Sequence, residues 1–438
     1  MSYLKKHNVI SADSIYEHIL ELCTLGQRVA GSSGDKEAGS YCERYFANLG
    51  LETRIGQFGI KAFTEKWSRL VVLDPLYHVL KCRPHLRSKS TPEGGIIGRV
   101  VYVGSGRQID YKYIKSKRYG NWKDDYWTNE VEGKFVLLDH NSERQGTPHF
   151  VSLIDIAENE GALGVLMSSR FPGNIIQSMG AHRFGTPIPC VSISYEDALF
   201  LRQTATKGPT EIQLEVISEM QNEQAKNVIG LQVGKELPHE SILISSHTDT
   251  TNGSPGANDN ASGVAGVLEL AKYFSSRKNK KTLIFAAFSG EEGGCIGSSQ
   301  FLEKHCKDLG DIRAVINLDG ISIGNKIWQP SEAIRYPYGH LPGKKVKPPA
   351  WLSGLVAGVF HSYGFRIEHY PDLTCFDEGP FLAAGIPATG LHTAPPSPYQ
   401  HSPMDRPEYC NANLSKIVVE VVGLIVNELS NRDFRKMP

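Results

Sequence analysis

The chain has 438 residues, of which 40% are hydrophobic and 21% are charged, a balance typical of folded globular proteins rather than disordered or fibrous ones. At roughly 100–200 residues per domain, this length allows two or three domains. Lys and Arg together number 47, as do Asp and Glu, so the formal net charge is zero. Such a chain lacks the positive field that attracts nucleic acid or an anionic membrane, and binding of either is disfavoured.

The opening segment, MSYLKKHNVISADSIYEHIL, has two lysines but does not resemble a secretory signal. It contains no apolar run of about 7–15 residues and no cleavage site of small residues. No stretch of the chain reaches the ~18 apolar residues of a membrane span. The eight cysteines are scattered without a CxxC pair, so neither a disulfide framework nor a zinc knuckle is indicated. We therefore expect a cytoplasmic protein with reduced cysteines.

Two amphipathic helices are predicted near the start of the chain. From Ser11 to about Leu25, apolar residues recur at helical spacing, and Ser11 can cap the first turn. A second helical pattern runs from Ala38 to Leu49. Gly50 follows it, where a residue in the left-handed conformation commonly ends a helix.

Residues 96–215 contain short β-branched runs separated by Gly, Pro and charged turns, namely IIGRVVYV, FVLLD, GVLM and CVSIS. One helical pattern, from Leu153 to Gly161, leads into the third run. This pattern predicts a compact β-rich module.

From Asn227 onward, uncharged β-type runs alternate with helical runs. The predicted strands are NVIGLQV, SILISS, TLIFAAF and AVINL, and the predicted helices are 261–274 and 297–305. This alternation is typical of a mainly parallel sheet covered on both faces. Residues 328–350, rich in Pro, aromatic and basic residues, predict a long loop.

The predicted fold is therefore α/β, with a mixed, mainly parallel sheet sandwiched by helices and an inserted β-rich domain. Residues 1–95 would form the N-terminal part of the main domain, 96–220 the insert, and 221–438 the rest of the main domain.

Polar residues stand where the predicted strands end. In an open α/β sheet, ligands bind beyond the carboxyl ends of the strands. The residues at these ends or in loops beside them are His247, Asp249, Asp259, Glu291, Glu292, Asp319 and His401. Taken singly, each has an ordinary structural explanation: Asp259 could cap the helix that it precedes, and Glu291 and Glu292 could lie in a solvated first turn.

Taken together, these residues predict a metal centre. Carboxylates gathered at one edge raise each other's pKa values, so the cluster needs cations, and two histidines beside several carboxylates suit zinc. In an extended HTD segment, residues 247 and 249 point to the same face, so His247 can bind metal while Asp249 orients the site. Of Glu291 and Glu292, one can bind metal while the other stays free as a base.

Five motifs carry a family resemblance. In order, HTD, GANDNASG, GEEGGCIGS, NLDG and HSPMD resemble those of the co-catalytic zinc aminopeptidases of metallopeptidase clan MH, family 28. The resemblance implies a zinc-exopeptidase fold of the phosphorylase/hydrolase type that holds two Zn²⁺ per chain. It also implies that the metal ligands are His247, Asp259, Glu292, Asp319 and His401.

By the same resemblance, Asp259 bridges the two ions, Asp249 is a supporting carboxylate and Glu291 is the general base. The implied activity is hydrolysis of the N-terminal peptide bond of a peptide with a free N-terminus, by a hydroxide that bridges the two ions. Residues 132–198 resemble a protease-associated domain, which members of the family often carry as an insert before HTD.

Three other activities remain open from the sequence: a carboxypeptidase of the same fold, a glutaminyl-cyclase-like acyltransferase with one zinc, and an inactive binding protein. The chain also departs from the family near the substrate pocket, where Phe376, Asp377 and Glu378 replace a common Ser-Asp-His. Tyr370 and Tyr399 are candidates to donate a hydroxyl hydrogen to the developing oxyanion.

Overall fold

The structure is a computed structural model that describes residues 9–104, 131–139, 150–180, 185–304, 309–330, 334–335, 345–370 and 376–434. The helices of these ranges are α1 (Ala12–Thr24), α2 (Ser33–Asn48), α3 (Phe150–Asn159), α4 (Tyr195–Lys207), α5 (Gly263–Ser275), α6 (Ile296–Lys304), α7 (Ala350–Ser362), α8 (Glu378–Ala383) and α9 (Ala412–Asn431). The strands are β1 (Glu52–Asp74), β2 (His78–Leu80), β3 (Cys82–Pro84), β4 (Ile96–Tyr102), β5 (Lys134–Asp139), β6 (Gly164–Ser168), β7 (Cys190–Ile193), β8 (Glu211–Gln232), β9 (Leu237–His247), β10 (Lys281–Phe288), β11 (Asp311–Leu318), β12 (Lys326–Pro330), β13 (Ile334–Arg335), β14 (Lys345–Val346), β15 (Arg366–Tyr370) and β16 (Ala388–Ala394).

Both predicted N-terminal helices are present, and local capping explains their limits. The Ser11 side chain accepts a hydrogen bond from the Ser14 N–H, which starts α1. Helix α2 begins five residues before the predicted start, because the Ser32 side chain accepts a hydrogen bond from the Asp35 N–H and caps it there. Gly50 has φ +75 just beyond its end, as predicted.

The central sheet has the predicted mixed, mainly parallel character. Among the described residues, fourteen strands form one sheet in the order β15-β12-β16-β11-β9-β10-β8-β4-β5-β6-β7-β3; off this path, β1 pairs with β8 and β2 pairs with β1. Strands β10, β9, β11 and β16 run parallel to one another, whereas β8 runs antiparallel to β10. The predicted fold class is therefore confirmed.

Two apolar layers cover the faces of the main sheet. On one face, Ile242 and Ile244 of β9 pack in a buried cluster with residues of α1, α5, α7 and α9. On the other face, Leu243 packs with Phe301 of α6 and Phe381 of α8. Alternate residues of β9 thus enter opposite layers, which fixes the register of the strand and the position of its polar end.

A long antiparallel ribbon of β1 and β8 extends from the main part of the sheet to strands of the predicted insert. The two strands pair from Glu52 opposite Leu231 to Asp74 opposite Glu211. At its far end, Leu70 of β1 lies in a separate apolar cluster with residues of β4–β8 and α4. Because β8 runs through the predicted boundary at residue 221 and the sheet is continuous, the division into domains stays a prediction.

The predicted long loop at residues 328–350 is interrupted at both ends. Residues 328–330 belong to β12, and α7 begins at Ala350. Residues 331–333 and 336–344 lie outside the described residues, as does His305, the predicted end of α6.

Within the described ranges, no helix combines the length and the apolar character that crossing a membrane requires.

Candidate metal centre

Strand ends bring the predicted site residues to one edge of the sheet. His247 is the last residue of β9, Asp319 directly follows β11, and Glu291 lies three residues beyond β10. Since β9, β10 and β11 are parallel, these three ends share one edge. Asp259 lies in the turn that precedes α5, and His401 lies in the loop between β16 and α9.

The side chains form two groups that share one carboxylate. In the first group, His247 Nε2 lies 3.3 Å from Asp259 Oδ1 and 3.5 Å from Asp319 Oδ1. In the second, His401 Nε2 lies 3.0 Å from Asp259 Oδ2 and 3.3 Å from Glu292 Oε1. In each group the candidate ligand atoms lie within 4.8 Å of one another. Asp259 therefore turns one oxygen to each group, the arrangement of a bridging ligand.

The donor atoms fit divalent cations. His247 Nε2, Asp259 Oδ1 and Glu292 Oε1 are buried, and none has a hydrogen-bond partner in the protein. Buried polar atoms ordinarily have partners, so three such atoms without partners in these two groups require an explanation. Each group offers one imidazole and two carboxylates, a donor set that suits zinc.

The pKa values of the site reflect an excess of buried carboxylates. Burial raises the pKa of Glu292 to about 8 and that of Glu291 well above its ordinary value. Burial alone would lower the pKa of His401, but the adjacent Glu292 and Asp259 carboxylates raise it to about 9. The site therefore favours positive charge in the space between these side chains.

Asp249 supports the site rather than joining either group. Its Oδ1 accepts a hydrogen bond from the Glu291 N–H at 3.0 Å, and its Oδ2 accepts one from the Glu292 N–H at 3.2 Å. His247 Nδ1 lies 3.0 Å from the backbone carbonyl of Asp249. Because a carbonyl oxygen can only accept, Nδ1 carries the hydrogen in this contact and Nε2 keeps its lone pair for a metal.

Glu291 stands apart from both groups. Its Oε2 is 3.9 Å from His247 Nε2, and its side chain is 11% exposed, against 5% for Glu292. The turn thus separates the two adjacent glutamates: Glu292 belongs to a ligand group, and Glu291 belongs to neither.

Sequence reasoning missed three residues that hold the site in place. Asp405 accepts hydrogen bonds from the backbone N–H groups of Asn258 and Asp259 at 2.9 and 3.0 Å. Gln400 donates its side-chain N–H to Asp259 Oδ2 at 2.7 Å. Both flank His401 within five residues, so the HSPMD motif itself was the signal that could have drawn attention to them.

The third missed residue, Asp35, comes from α2. It accepts hydrogen bonds from Thr248 Oγ1 at 3.1 Å and from Ser289 Oγ at 2.7 Å. It thereby ties the end of β9 to the end of β10. Burial raises the pKa of Asp35 to about 7, and the nearby Asp249 carboxylate adds to this effect. No local pattern in the sequence connects Asp35 with residues more than 200 positions away.

The segment that departs from the family lies beside the same edge. Asp377 is fully buried, accepts a hydrogen bond from Ser298 Oγ at 2.6 Å, and has its pKa raised to about 7 by burial. Phe376 packs against His392, with the ring centroids 4.0 Å apart. Of the two candidate hydroxyl donors, Tyr399 packs against Tyr409, with the ring centroids 4.4 Å apart, whereas the side chain of Tyr370 lies outside the described residues.

Solved structures share this fold. The peptidase M28 precursor from Shewanella amazonensis SB2B aligns with a TM-score of 0.77 and 20% sequence identity, over 96% of this chain and 94% of that chain. BSAP, a zinc aminopeptidase from Bacillus subtilis, aligns with a TM-score of 0.69 and 21% identity, over 98% of this chain and 97% of that chain. At these identities, the likeness establishes the fold.

Sequence comparison finds similar proteins and a matching family. Aminopeptidase YwaD from Bacillus subtilis (strain 168) is 24% identical over 429 residues, which cover 96% of this chain and 86% of that protein. Residues 227–426, which contain the two ligand groups, match Peptidase family M28. This match to peptidase family M28 covers somewhat less than half of the chain.

Proposed function

We propose that this protein is a zinc-dependent aminopeptidase that holds two zinc ions, with Asp259 as the bridging ligand and Glu291 as the general base. One observation carries the proposal: two sets of buried ligand atoms share the Asp259 carboxylate, and Glu291 stands beside them without joining either set. The names of its relatives, an aminopeptidase and a zinc aminopeptidase, agree with this activity.

His247, Asp259 and Asp319 would hold one ion, and Asp259, Glu292 and His401 the other. Such a pair of ions polarises a peptide carbonyl and lowers the pKa of water to around 7. The remaining steps depend on the protein's own side chains.

Glu291 has the position and the environment of a general base. Asp249 fixes its backbone through the hydrogen bond to the Glu291 N–H. Burial raises the pKa of its carboxyl group, which brings its proton affinity closer to that needed near neutral pH. In the proposed reaction, Glu291 takes a proton from the attacking water and then delivers it to the nitrogen of the leaving amine.

The charge of the site supports recognition of a substrate's N-terminus. Asp249 and Asp377 add buried carboxylates beyond the proposed ligands, and Glu291 adds a largely buried one. A protonated α-amino group is attracted to such a site, whereas the carboxylate terminus of a peptide is repelled by it. This favours an aminopeptidase over a carboxypeptidase of the same fold.

A panel of aminoacyl anilides tests the proposal, each prepared with a free and with an acetylated N-terminus and assayed with and without a chelator. We expect hydrolysis of the free forms alone, its loss on chelation, and its return when Zn²⁺ is restored. Equal hydrolysis of the acetylated forms, or activity that survives complete zinc removal, would contradict the proposal. N-acetylated peptides with a free C-terminus are assayed alongside, and hydrolysis confined to them would identify a carboxypeptidase instead.

A further inference from the structure

The two ligand groups differ in how the fold supports them. The first group depends on strands of the main sheet, since His247 ends β9 and Asp319 directly follows β11. The second group depends on loops. His401 even has φ +59, in the left-handed region that residues other than glycine rarely adopt. Such a conformation persists only where the surroundings enforce it.

Some of the contacts that hold His401 in this conformation come from the predicted insert. The Ser178 N–H donates to the backbone carbonyl of His401 at 2.7 Å. The Gln177 side chain donates to the carbonyl of Gln400 at 3.0 Å, and Gln400 in turn donates to Asp259 Oδ2 at 2.7 Å. A continuous set of hydrogen bonds therefore runs from the insert to the oxygen of Asp259 that faces the second group.

The same segment also contacts Glu292. A Cβ atom added to Gly180 would lie 2.2 Å from the backbone oxygen of Glu292 and 3.2 Å from its Oε2. Only glycine allows this approach. Gln177 and Ser178 are 4% and 0% exposed, so their hydrogen bonds are shielded from water. Residues 177–180 thus contact or lead to all three members of the second group: Asp259, Glu292 and His401.

We propose that residues 177–180 are a positioning element for one of the two metal ions. Their removal or distortion would weaken the binding of the ion held by Asp259, Glu292 and His401. The binding of the ion held by His247, Asp259 and Asp319 would not change. The insert would then be part of the metal centre and not solely a cover over it. This inference rests on the proposed two-zinc centre.

Zinc affinity of the full chain tests the proposal, measured by competition with a chromophoric chelator after the native protein has been shown to bind two Zn²⁺. In Gln177→Ala, we expect one dissociation constant to rise about 10- to 100-fold, the range for loss of a hydrogen-bonding partner behind a ligand, with the other unchanged. Gln213→Ala is the matched control, because Gln213 also lies in the predicted insert and donates to a backbone carbonyl, that of Gly94, away from the site.

Two single-site backgrounds show which ion is affected. Asp319→Ala leaves the second group intact, so adding Gln177→Ala should lower the affinity for the remaining zinc ion. Glu292→Ala leaves the first group intact, so adding Gln177→Ala should leave the affinity for the remaining zinc ion unchanged. Gly180→Ala, which forces the Glu292 backbone to move, should reproduce the effect of Gln177→Ala by a different contact.

The fold of each variant is checked by circular dichroism and thermal unfolding of the zinc-loaded protein. An equal loss of affinity for both ions, or no change of zinc affinity in either single-site background, would overturn the positioning role. Fewer than two zinc ions in the native protein would instead overturn the two-zinc centre on which the role depends.

Discussion

At the scale of single residues, Glu291 and Glu292 are adjacent in sequence and different in surroundings. We expect Glu291→Gln to lower kcat roughly 10²- to 10⁴-fold, because the amide cannot accept the proton of the attacking water. Zinc content should stay at the native level, since Glu291 belongs to neither ligand group. Glu292→Gln is the matched comparison and should reduce zinc content. Steady-state kinetics and elemental analysis of both variants measure the two effects, and near-native turnover of Glu291→Gln would refute its role as base.

Asp259 is the residue whose loss should affect both ions. Its two oxygens face different histidines, at 3.3 and 3.0 Å. We expect Asp259→Ala to lower zinc affinity at both positions, whereas Asp319→Ala should lower it at one. Calorimetric zinc titration distinguishes these patterns. If Asp259→Ala affected a single binding step, the bridging assignment would be wrong.

The site residues at strand ends were predictable because they directly follow recognisable strands in the sequence. His247, Asp319 and the two glutamates follow the uncharged runs SILISS, AVINL and TLIFAAF, and carboxyl ends of parallel strands share one edge. Asp35 was not predictable in the same way. Its carboxylate accepts hydrogen bonds from groups more than 200 positions away, and such contacts leave no spacing pattern in the chain.

At the scale of elements, the docking of α1 on α5 depends on one buried carboxylate. Burial alone would raise the pKa of Glu269, but the His18 imidazole 3.8 Å away and hydrogen bonds from Lys272, Ser11 and Ser14 lower it to about 2. A carboxyl group whose pKa falls from 4.5 to about 2 on folding contributes about 3 kcal/mol of stability above pH 4.5, and this contribution is lost as the pH falls towards 2. We expect Glu269→Gln to be less stable than the native chain at pH 7, with the difference shrinking below pH 4.5.

Urea unfolding from pH 7 down to pH 3 measures this difference. Glu420→Gln is a suitable control, because Glu420 pairs with Lys416 on the surface of α9 at 2.7 Å, and exposed pairs contribute little. A destabilisation by Glu269→Gln that did not depend on pH would show that the effect is one of packing and not of charge.

The long ribbon of β1 and β8 contains a strand whose start the sequence pattern did not predict. The run NVIGLQV was predicted as a strand, yet β8 starts sixteen residues earlier, at Glu211. Around Glu219 and Asn222 the strand carries exposed polar residues that resemble a loop. There the backbone is held by pairing with β1, and this pairing requires no apolar face.

At the scale of the whole molecule, parallel topology brings side chains from a stretch of more than 150 residues to one edge. The alternation of strands and helices predicts this topology, but not how the predicted insert meets the main sheet. That contact depends on residues 177–180 reaching the loops around Glu292 and His401, through hydrogen bonds and one close approach of a glycine. These contacts involve few apolar residues, and so they leave no hydrophobic periodicity to detect.

The charge of the centre predicts how the whole molecule responds to metal removal. Asp249, Asp259, Glu292, Asp319 and Asp377 are each at most 5% exposed and lie around one space, so without cations they repel one another. A ligand that binds only the folded state at 1,000 times its Kd adds about 4 kcal/mol of stability. We therefore expect a chelator to lower the Tm by several degrees and added Zn²⁺ to restore it, as followed by calorimetry. In Asp259→Ala the same chelator should shift the Tm far less, because that variant has lost the shared ligand; an equal shift in both proteins would place the stabilising ions elsewhere.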